Sequence, residues 1–222
     1  MTADLPTPPP SPSPASPPAG TFISFEGGDG VGKSTQLALL RDWLAGLGRE
    51  VVVTREPGGT ALGLDLRRAV LHGDHVAPRA EALIYAADRA HHVATLVRPA
   101  LDRGAVVLTD RFLDSSVAYQ GVGRGLGADV VERLNLWAVE GLLPHLTVLL
   151  DLDPAVGLAR IVGEPDRLER AGAEFHARMR QAYLDRAAAD PARWLVLDAA
   201  EPAAVVAAHV RARLATVLGV AP

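Results

Sequence analysis

Residues 27–35 read Gly-Gly-Asp-Gly-Val-Gly-Lys-Ser-Thr and directly follow the apolar run Thr21–Phe25. The spacing Gly27-x-x-x-x-Gly32-Lys33-Ser34 is that of a phosphate-binding loop. No other feature restricts the fold as much. The run before the loop suits a buried strand. After it, Leu37, Leu40, Leu44 and Leu47 share one helical face. Strand, glycine loop and helix form the context this motif requires. Backbone N–H groups over Gly27, Gly28, Asp29, Gly30, Val31, Gly32, Lys33, Ser34 and Thr35 are expected to surround phosphate oxygens at the positive end of the helix. Lys33 reaches the outer phosphates and the Ser34 hydroxyl suits Mg²⁺. A plain glycine turn explains one or two glycines, but not Lys33-Ser34 in register. The expected ligand is ATP or GTP.

The rest of the chain alternates strands with helices. Strands are expected at 21–26, 50–54, 105–109, 146–152 and 194–197. Helical patterns fall at 33–47, 61–71, 79–102, 113–119, 129–141, 154–161, 170–189 and 202–218. Short, almost wholly apolar strands between helices predict an α/β fold with three layers, α/β/α, around a five-stranded parallel sheet. Right-handed crossovers then gather the loops after the strands at one edge. The phosphate loop, residues 55–60 and residues 110–112 all reach that edge.

Bulk properties exclude several classes. The net charge of −4 and pI near 6.0 argue against a broad nucleic-acid-binding face. With no cysteine, the chain has no disulfide, thiolate metal site or cysteine nucleophile, in keeping with a cytoplasmic location. No apolar run approaches the roughly 18 residues that would span a membrane. Residues 1–19 hold eight prolines and one charged side chain, Asp4. Such a segment is expected to be a disordered or polyproline-type tail, since it lacks the apolar surface to offset its ordering entropy. It has neither the basic start nor the apolar stretch of a signal peptide. Residues 20–222 then form one domain.

Arg55, Arg89, Arg111 and Arg124 fall in or beside the functional-edge loops, which suggests a second anionic ligand opposite the nucleotide. A single arginine is more often a solvated surface charge. Arg111 resists that reading best, because it follows an apolar strand directly. Asp110 before it suits Mg²⁺ held through water.

Five separated segments together resemble the thymidylate kinases of bacteria: Phe25-Glu-Gly-Gly-Asp-Gly-Val-Gly-Lys-Ser-Thr-Gln36, Thr54-Arg-Glu-Pro-Gly-Gly-Thr60, Ala87-Asp-Arg89, Asp110-Arg-Phe-Leu-Asp-Ser-Ser116 and Ala118-Tyr-Gln-Gly121. The resemblance runs over about 21–215. It implies a P-loop NTPase-type fold with a short lid, and transfer of the γ-phosphate of ATP to thymidine 5′-monophosphate, a step toward dTTP for DNA synthesis. It also implies a homodimer that binds small nucleotides, with neither nucleic acid nor membrane as partner. Lys33 and Ser34 would serve ATP and Mg²⁺. Asp29 would approach the acceptor's 3′-hydroxyl, an arrangement that suits an ionised carboxylate. Arg111 would bridge the acceptor phosphate and the transferring group, with Asp110 near the metal. Arg89 would face the thymine carbonyl and Tyr85, four residues earlier on the same helical face, would stack on the base. Tyr119 would lie against the sugar. Ser115, Ser116 and Gln120 would contact the base edge. Arg55 and Glu56 would face the acceptor phosphate and the metal.

The sequence departs from the family at one point. Some relatives carry an arginine directly after the loop aspartate, where this chain has Gly30; bacterial relatives carry an arginine-rich lid. Here the lid, about 160–170, is short and keeps only Arg160 and Arg167 ahead of Arg170. Arg167, in Asp166-Arg-Leu-Glu169, is the expected catalytic arginine. Other signals have plainer readings. His91-His92 has no partners at metal spacing, and Gly121–Gly127 follows a helix and reads as a flexible connection. The alternatives are a kinase for a different nucleoside monophosphate and a nucleotide-binding protein without activity. A GTPase would need an Asn-Lys-x-Asp segment, which the chain lacks.

Overall fold

A computed structural model describes residues 20–72, 75–161 and 167–219. The proline-rich segment 1–19 and the middle of the expected lid, residues 162–166, lie outside the described residues.

Five strands form one parallel sheet: β1 (Thr21–Glu26), β2 (Val51–Arg55), β3 (Val106–Asp110), β4 (Leu146–Asp151) and β5 (Trp194–Asp198), in the order β2-β3-β1-β4-β5. Side chains alternate across the sheet. Ile23 and Phe25 of β1, Val106 and Leu108 of β3, and Leu146, Val148 and Leu150 of β4 face one layer. That layer is built by Leu37, Leu40 and Leu44 of α1 (Lys33–Gly46) and Val206, Val210 and Leu214 of α9 (Ala203–Leu218). Phe22 and Val107 face the other layer. Because both faces are covered, the strands read as continuous apolar runs.

The second layer holds α3 (Pro78–His92), α4 (Arg98–Asp102), α6 (Ala128–Ala138) and α8 (Ala173–Ala189). Between β2 and α3 lies α2 (Ala61–Leu71). Its N-terminus is capped by the Thr60 hydroxyl, which accepts from the Gly63 N–H at 3.0 Å. The short helices α5 (Leu113–Ser116) and α7 (Pro154–Ala159) follow β3 and β4.

Two stretches are wound more widely than expected. The single helix expected at 79–102 is α3, a π-helical turn over Val93–Val97, and α4. Pro99 is the physical reason: it has no N–H and its ring clashes with the carbonyl four residues back, and a π turn relieves both. The helix expected at 113–119 likewise gives way to π-helical winding over Val117–Gly123. The segment expected as a flexible connection is therefore helical through Gly123. A Cβ on Gly123 would lie 2.6 Å from the Phe175 ring, so that close approach of backbone to α8 requires glycine.

The chain steps from β1 outward to β2, returns through β3, and then crosses to β4 on the far side of β1. That reversal opens a crevice beyond the carboxyl ends of β1 and β3, where open α/β sheets hold ligands.

Candidate active site

The phosphate loop leaves β1 at Glu26 and enters α1 at Lys33. Gly30 has φ +73°, and a Cβ there would overlap the carbonyl of Gly157 in α7. No side chain fits at this position, so the arginine that some relatives carry after the aspartate has no room here. Lys33 is buried and its Nζ donates to the carbonyls of Gly28 (2.7 Å) and Gly27 (3.3 Å). Burial, then the Arg111 charge, lowers its pKa. Ser34 and Thr35 are exposed at the loop mouth. Asp110 Oδ1 lies 4.0 Å from Lys33 Nζ and is buried, with no hydrogen-bond donor among the described residues. Arg160, at the end of α7, lines the same open cleft as Lys33, Ser34 and Asp110. It also lines the neighbouring cleft over Gln36, Ala199 and Val206.

Arg111 joins this half of the site to the other. It holds φ +70°, which is uncommon outside glycine. Its Nη1 donates to the Gly27 carbonyl (2.9 Å) and its Nη2 to Asp29 Oδ1 (2.5 Å). The Tyr119 ring lies beneath its guanidinium at 5.0 Å, and the Tyr119 hydroxyl donates to Asp29 Oδ2 at 3.3 Å. Burial alone would raise the Asp29 pKa; Arg111 and Lys33 overcome this and bring it down to about 2. Asp29 is therefore ionised throughout the neutral range, as an acceptor for a sugar hydroxyl should be.

A second cavity opens on the far side of Arg111. The expected residues Asp29, Glu56, Tyr85, Arg89 and Arg111 all line it, as do Ser115, Ser116, Tyr119 and Gln120. Arg55 does not; it is exposed at the end of β2. In its place the wall includes Arg67 of α2, with Leu71 and Leu168, none of which the sequence singles out. Arg67 donates to the Pro57 carbonyl at 3.1 Å.

Several side chains are more committed than the sequence suggests. Glu56, expected near the metal, is buried, and both its oxygens are occupied. Arg89 Nε donates to Oε2 at 2.6 Å, and His92 Nδ1 lies 2.7 Å from Oε1. The other His92 nitrogen lies 2.7 Å from the Thr54 hydroxyl, so this histidine is a core partner. Arg89 is 1% exposed and also donates to Ser116 Oγ, Asn135 Oδ1 and the Phe112 carbonyl. These bonds use four of its five N–H groups, and one on Nη2 remains. Gln120 donates to Glu81 at 2.8 Å. Glu81 is fully buried and also holds Arg124 at 3.3 Å and Arg167 at 2.6 Å. Arg167 donates besides to the Val70 carbonyl at 3.0 Å. Arg124 and Arg167, both expected near phosphate, are thus turned toward Glu81. A local pattern shows that a residue is arginine, but not which distant carboxylate will claim it.

Behind Arg111 sits a group that the sequence reading missed. Glu26, fully buried, accepts from the Phe112 N–H (2.8 Å), the Ser115 hydroxyl (2.5 Å) and the Tyr183 hydroxyl (3.1 Å). Burial and then the Asp114 charge push its pKa up to about 7, against the Ser115 bond and Arg111. Its place directly before the loop was the only signal in the sequence; nothing local marks Tyr183.

A family model described as thymidylate kinase matches residues 25–210. The chain is 64% identical over 198 residues to a thymidylate kinase of Clavibacter michiganensis subsp. michiganensis, an alignment covering 87% of this chain and 94% of the relative. It is 64% identical over 200 residues to one of Leifsonia xyli subsp. xyli, covering 88% and 94%. A thymidylate kinase of Deinococcus radiodurans is 53% identical over 186 residues, covering 82% and 90%.

Proposed function

The chain belongs to the thymidylate kinase family, and from that premise we propose how its residues transfer the γ-phosphate of ATP to thymidine 5′-monophosphate, giving thymidine diphosphate. The observation that carries the assignment is the Asp29–Arg111 pair, which joins the phosphate loop to a second cavity lined by most of the expected acceptor residues.

ATP lies with its phosphates in the loop, on backbone N–H groups and Lys33. On phosphate binding, the Lys33 ammonium exchanges the Gly27 and Gly28 carbonyls for phosphate oxygens. Ser34 and Asp110 would hold Mg²⁺, and Asp110 Oδ1, buried and without a hydrogen-bond donor among the described residues, suits that role. When bound, the ion neutralises charge on the β- and γ-phosphate oxygens. Glu56 is not part of this set, because Arg89 and His92 hold both its oxygens.

The acceptor occupies the second cavity. Tyr85 stacks on the thymine, the free N–H of Arg89 donates to a base carbonyl, and Asp29 accepts from the 3′-hydroxyl. Arg111 lies between the acceptor phosphate and the transferring group, where its guanidinium offers two parallel donors. Arg160 takes the place of the lid arginine, since it lines the cleft at the loop mouth whereas Arg167 pairs with Glu81. Arg160→Ala should lower kcat by about a hundredfold or more while leaving the acceptor's KM within about twofold. A near-wild-type rate would return the role to Arg167.

Small nucleotides are the ligands of this reading, and the net charge of −4 is in keeping with that. The compartment is the cytoplasm; no helix among the described residues is long and apolar enough to cross a membrane. A second copy is the partner. Trp137 is 80% exposed, and Leu83 and Val130 on the adjoining helices α3 and α6 are exposed with it. These side chains are placed in the dimer contact. Sedimentation should give twice the chain mass, and Trp137→Glu should give the single-chain mass. A monomeric wild type would remove the proposal.

The reading is tested by ATP consumption with Mg²⁺ against thymidylate, deoxyuridylate, deoxycytidylate, uridylate, adenylate and guanylate. A pocket for one methyl group discriminates by about 10–200-fold. Thymidylate should therefore lead, with deoxyuridylate a poor substrate. A different leading acceptor would overturn the base assignments.

A further inference from the structure

We propose that Glu26 and Tyr183, acting through Ser115, are positioning residues that set the angle of the Arg111 guanidinium during phosphoryl transfer. The inference rests on the role given to Arg111 above.

Arg111 is held unevenly. Its Nη2 side meets Asp29, which also serves the acceptor sugar in this reading, so that contact changes during turnover. Its Nη1 side meets three oxygens: the Gly27 carbonyl (2.9 Å), the Tyr183 hydroxyl (3.4 Å) and Ser115 Oγ (3.3 Å), the last also on the lining of the acceptor cavity. The two hydroxyls are 2.8 Å apart, and both lie within reach of one Glu26 oxygen, at 2.5 and 3.1 Å. Each hydroxyl has one hydrogen and two lone pairs. With Glu26 ionised, the Ser115 hydrogen turns to the carboxylate at 2.5 Å, the Tyr183 hydrogen lies between Glu26 and the Ser115 oxygen, and lone pairs on both hydroxyls are left facing Arg111. The carboxylate thus sets the polarity of two groups it shares with the arginine, from beneath the site.

The cluster joins three separate parts of the chain. Glu26 ends β1, Ser115 lies in α5 after β3, and Tyr183 comes from α8. Arg111 is itself in the left-handed region, so its backbone alone does not fix where the side chain points. A rigid support on the Nη1 side lets the Nη2 side exchange partners without loss of aim. Glu26 and Tyr183 line neither the acceptor cavity nor the cleft at the loop mouth, and Ser115 connects them to the acceptor cavity.

Glu26→Gln keeps the shape and still accepts from the Phe112 N–H. Its amide, however, must donate to one hydroxyl, whose hydrogen then turns to the other hydroxyl or to Arg111, so the pair offers the guanidinium fewer lone pairs. A misplacement of about 1 Å in a reacting group lowers rate on the order of a hundredfold. The expected result is a fall in kcat of about 10–100-fold for Glu26→Gln and about 5–20-fold for Tyr183→Phe, with the dissociation constants of ATP and thymidylate within about twofold of wild type. Combining the two should give less than the product of their separate effects, because they act on one arginine. Rates are taken per folded active site, counted by nucleotide binding. A purely packing role would lower the melting temperature and the folded fraction but leave kcat per site alone. If both variants keep kcat within about twofold while Arg111→Ala is severely impaired, the inference fails and the role of Arg111 stands. If Arg111→Ala is itself active, the underlying reading fails. Should Glu26→Gln not fold, Tyr183→Phe decides by the same criterion.

Discussion

Arg111→Ala is expected to lower kcat by about 10³–10⁵-fold, the range in which a transition-state arginine contributes. This is about 4–7 kcal/mol of barrier. The size follows from geometry: Arg111 is the cation on the wall between the two clefts, with one nitrogen on the loop carbonyl of Gly27 and the other on Asp29. Alanine at φ +70° is no more at ease than arginine, so no relief of backbone strain offsets the loss. ATP binding should survive, because the loop N–H groups and Lys33 remain. Asp29 should lose part of its depressed pKa, since Arg111 is its largest favourable partner. Arg111→Lys should recover only part of the rate. A point charge cannot donate in parallel to two partners, as the planar guanidinium does. Single-turnover transfer with saturating nucleotides separates this from a binding defect. A rate within about tenfold of wild type would remove Arg111 from the reaction.

Arg89→Ala should be the most destabilising single change near the acceptor pocket. Arg89 is buried with Glu56, Ser116, Asn135 and the Phe112 carbonyl around it. Removing it leaves the Glu56 carboxylate buried with His92 as its remaining close partner. Breaking one side of such a pair costs about 3–5 kcal/mol, or roughly 6–20 °C in melting temperature for a domain of this size. Adding Glu56→Ala should cost less than the sum of the two single changes, since the second removes the charge that the first stranded. Thermal unfolding of the four proteins in the cycle measures this. Strict additivity would show that the pair is not energetically coupled.

What was legible in the sequence was what is encoded locally. The phosphate loop, five strands and the Asp110-Arg111 step at the end of β3 are each set by a few adjacent residues, and the structure places them at one sheet edge. The cavity brings together most of the expected acceptor residues for the same reason: they lie in the loops after β1, β2 and β3, on one face of α3, and on α5 and the π-helical stretch that follows it. Partner choice was not legible. Glu56 pairs with side chains more than 30 positions away, Arg167 crosses to Glu81, and Tyr183 reaches Glu26 over 157 positions. Nothing in local spacing carries those distances. The π turns escaped because helical periodicity alone does not register one extra residue per turn, although Pro99 marks where the first of them widens.

The most direct test of the central claim places thymidylate and deoxyuridylate at equal concentration in one reaction with limiting ATP and Mg²⁺, and follows both diphosphates. The expected result is ADP equal to the two diphosphates together, with thymidine diphosphate ahead of deoxyuridine diphosphate by about 10–200-fold. Equal amounts of the two products, or ADP formed without either, would contradict it.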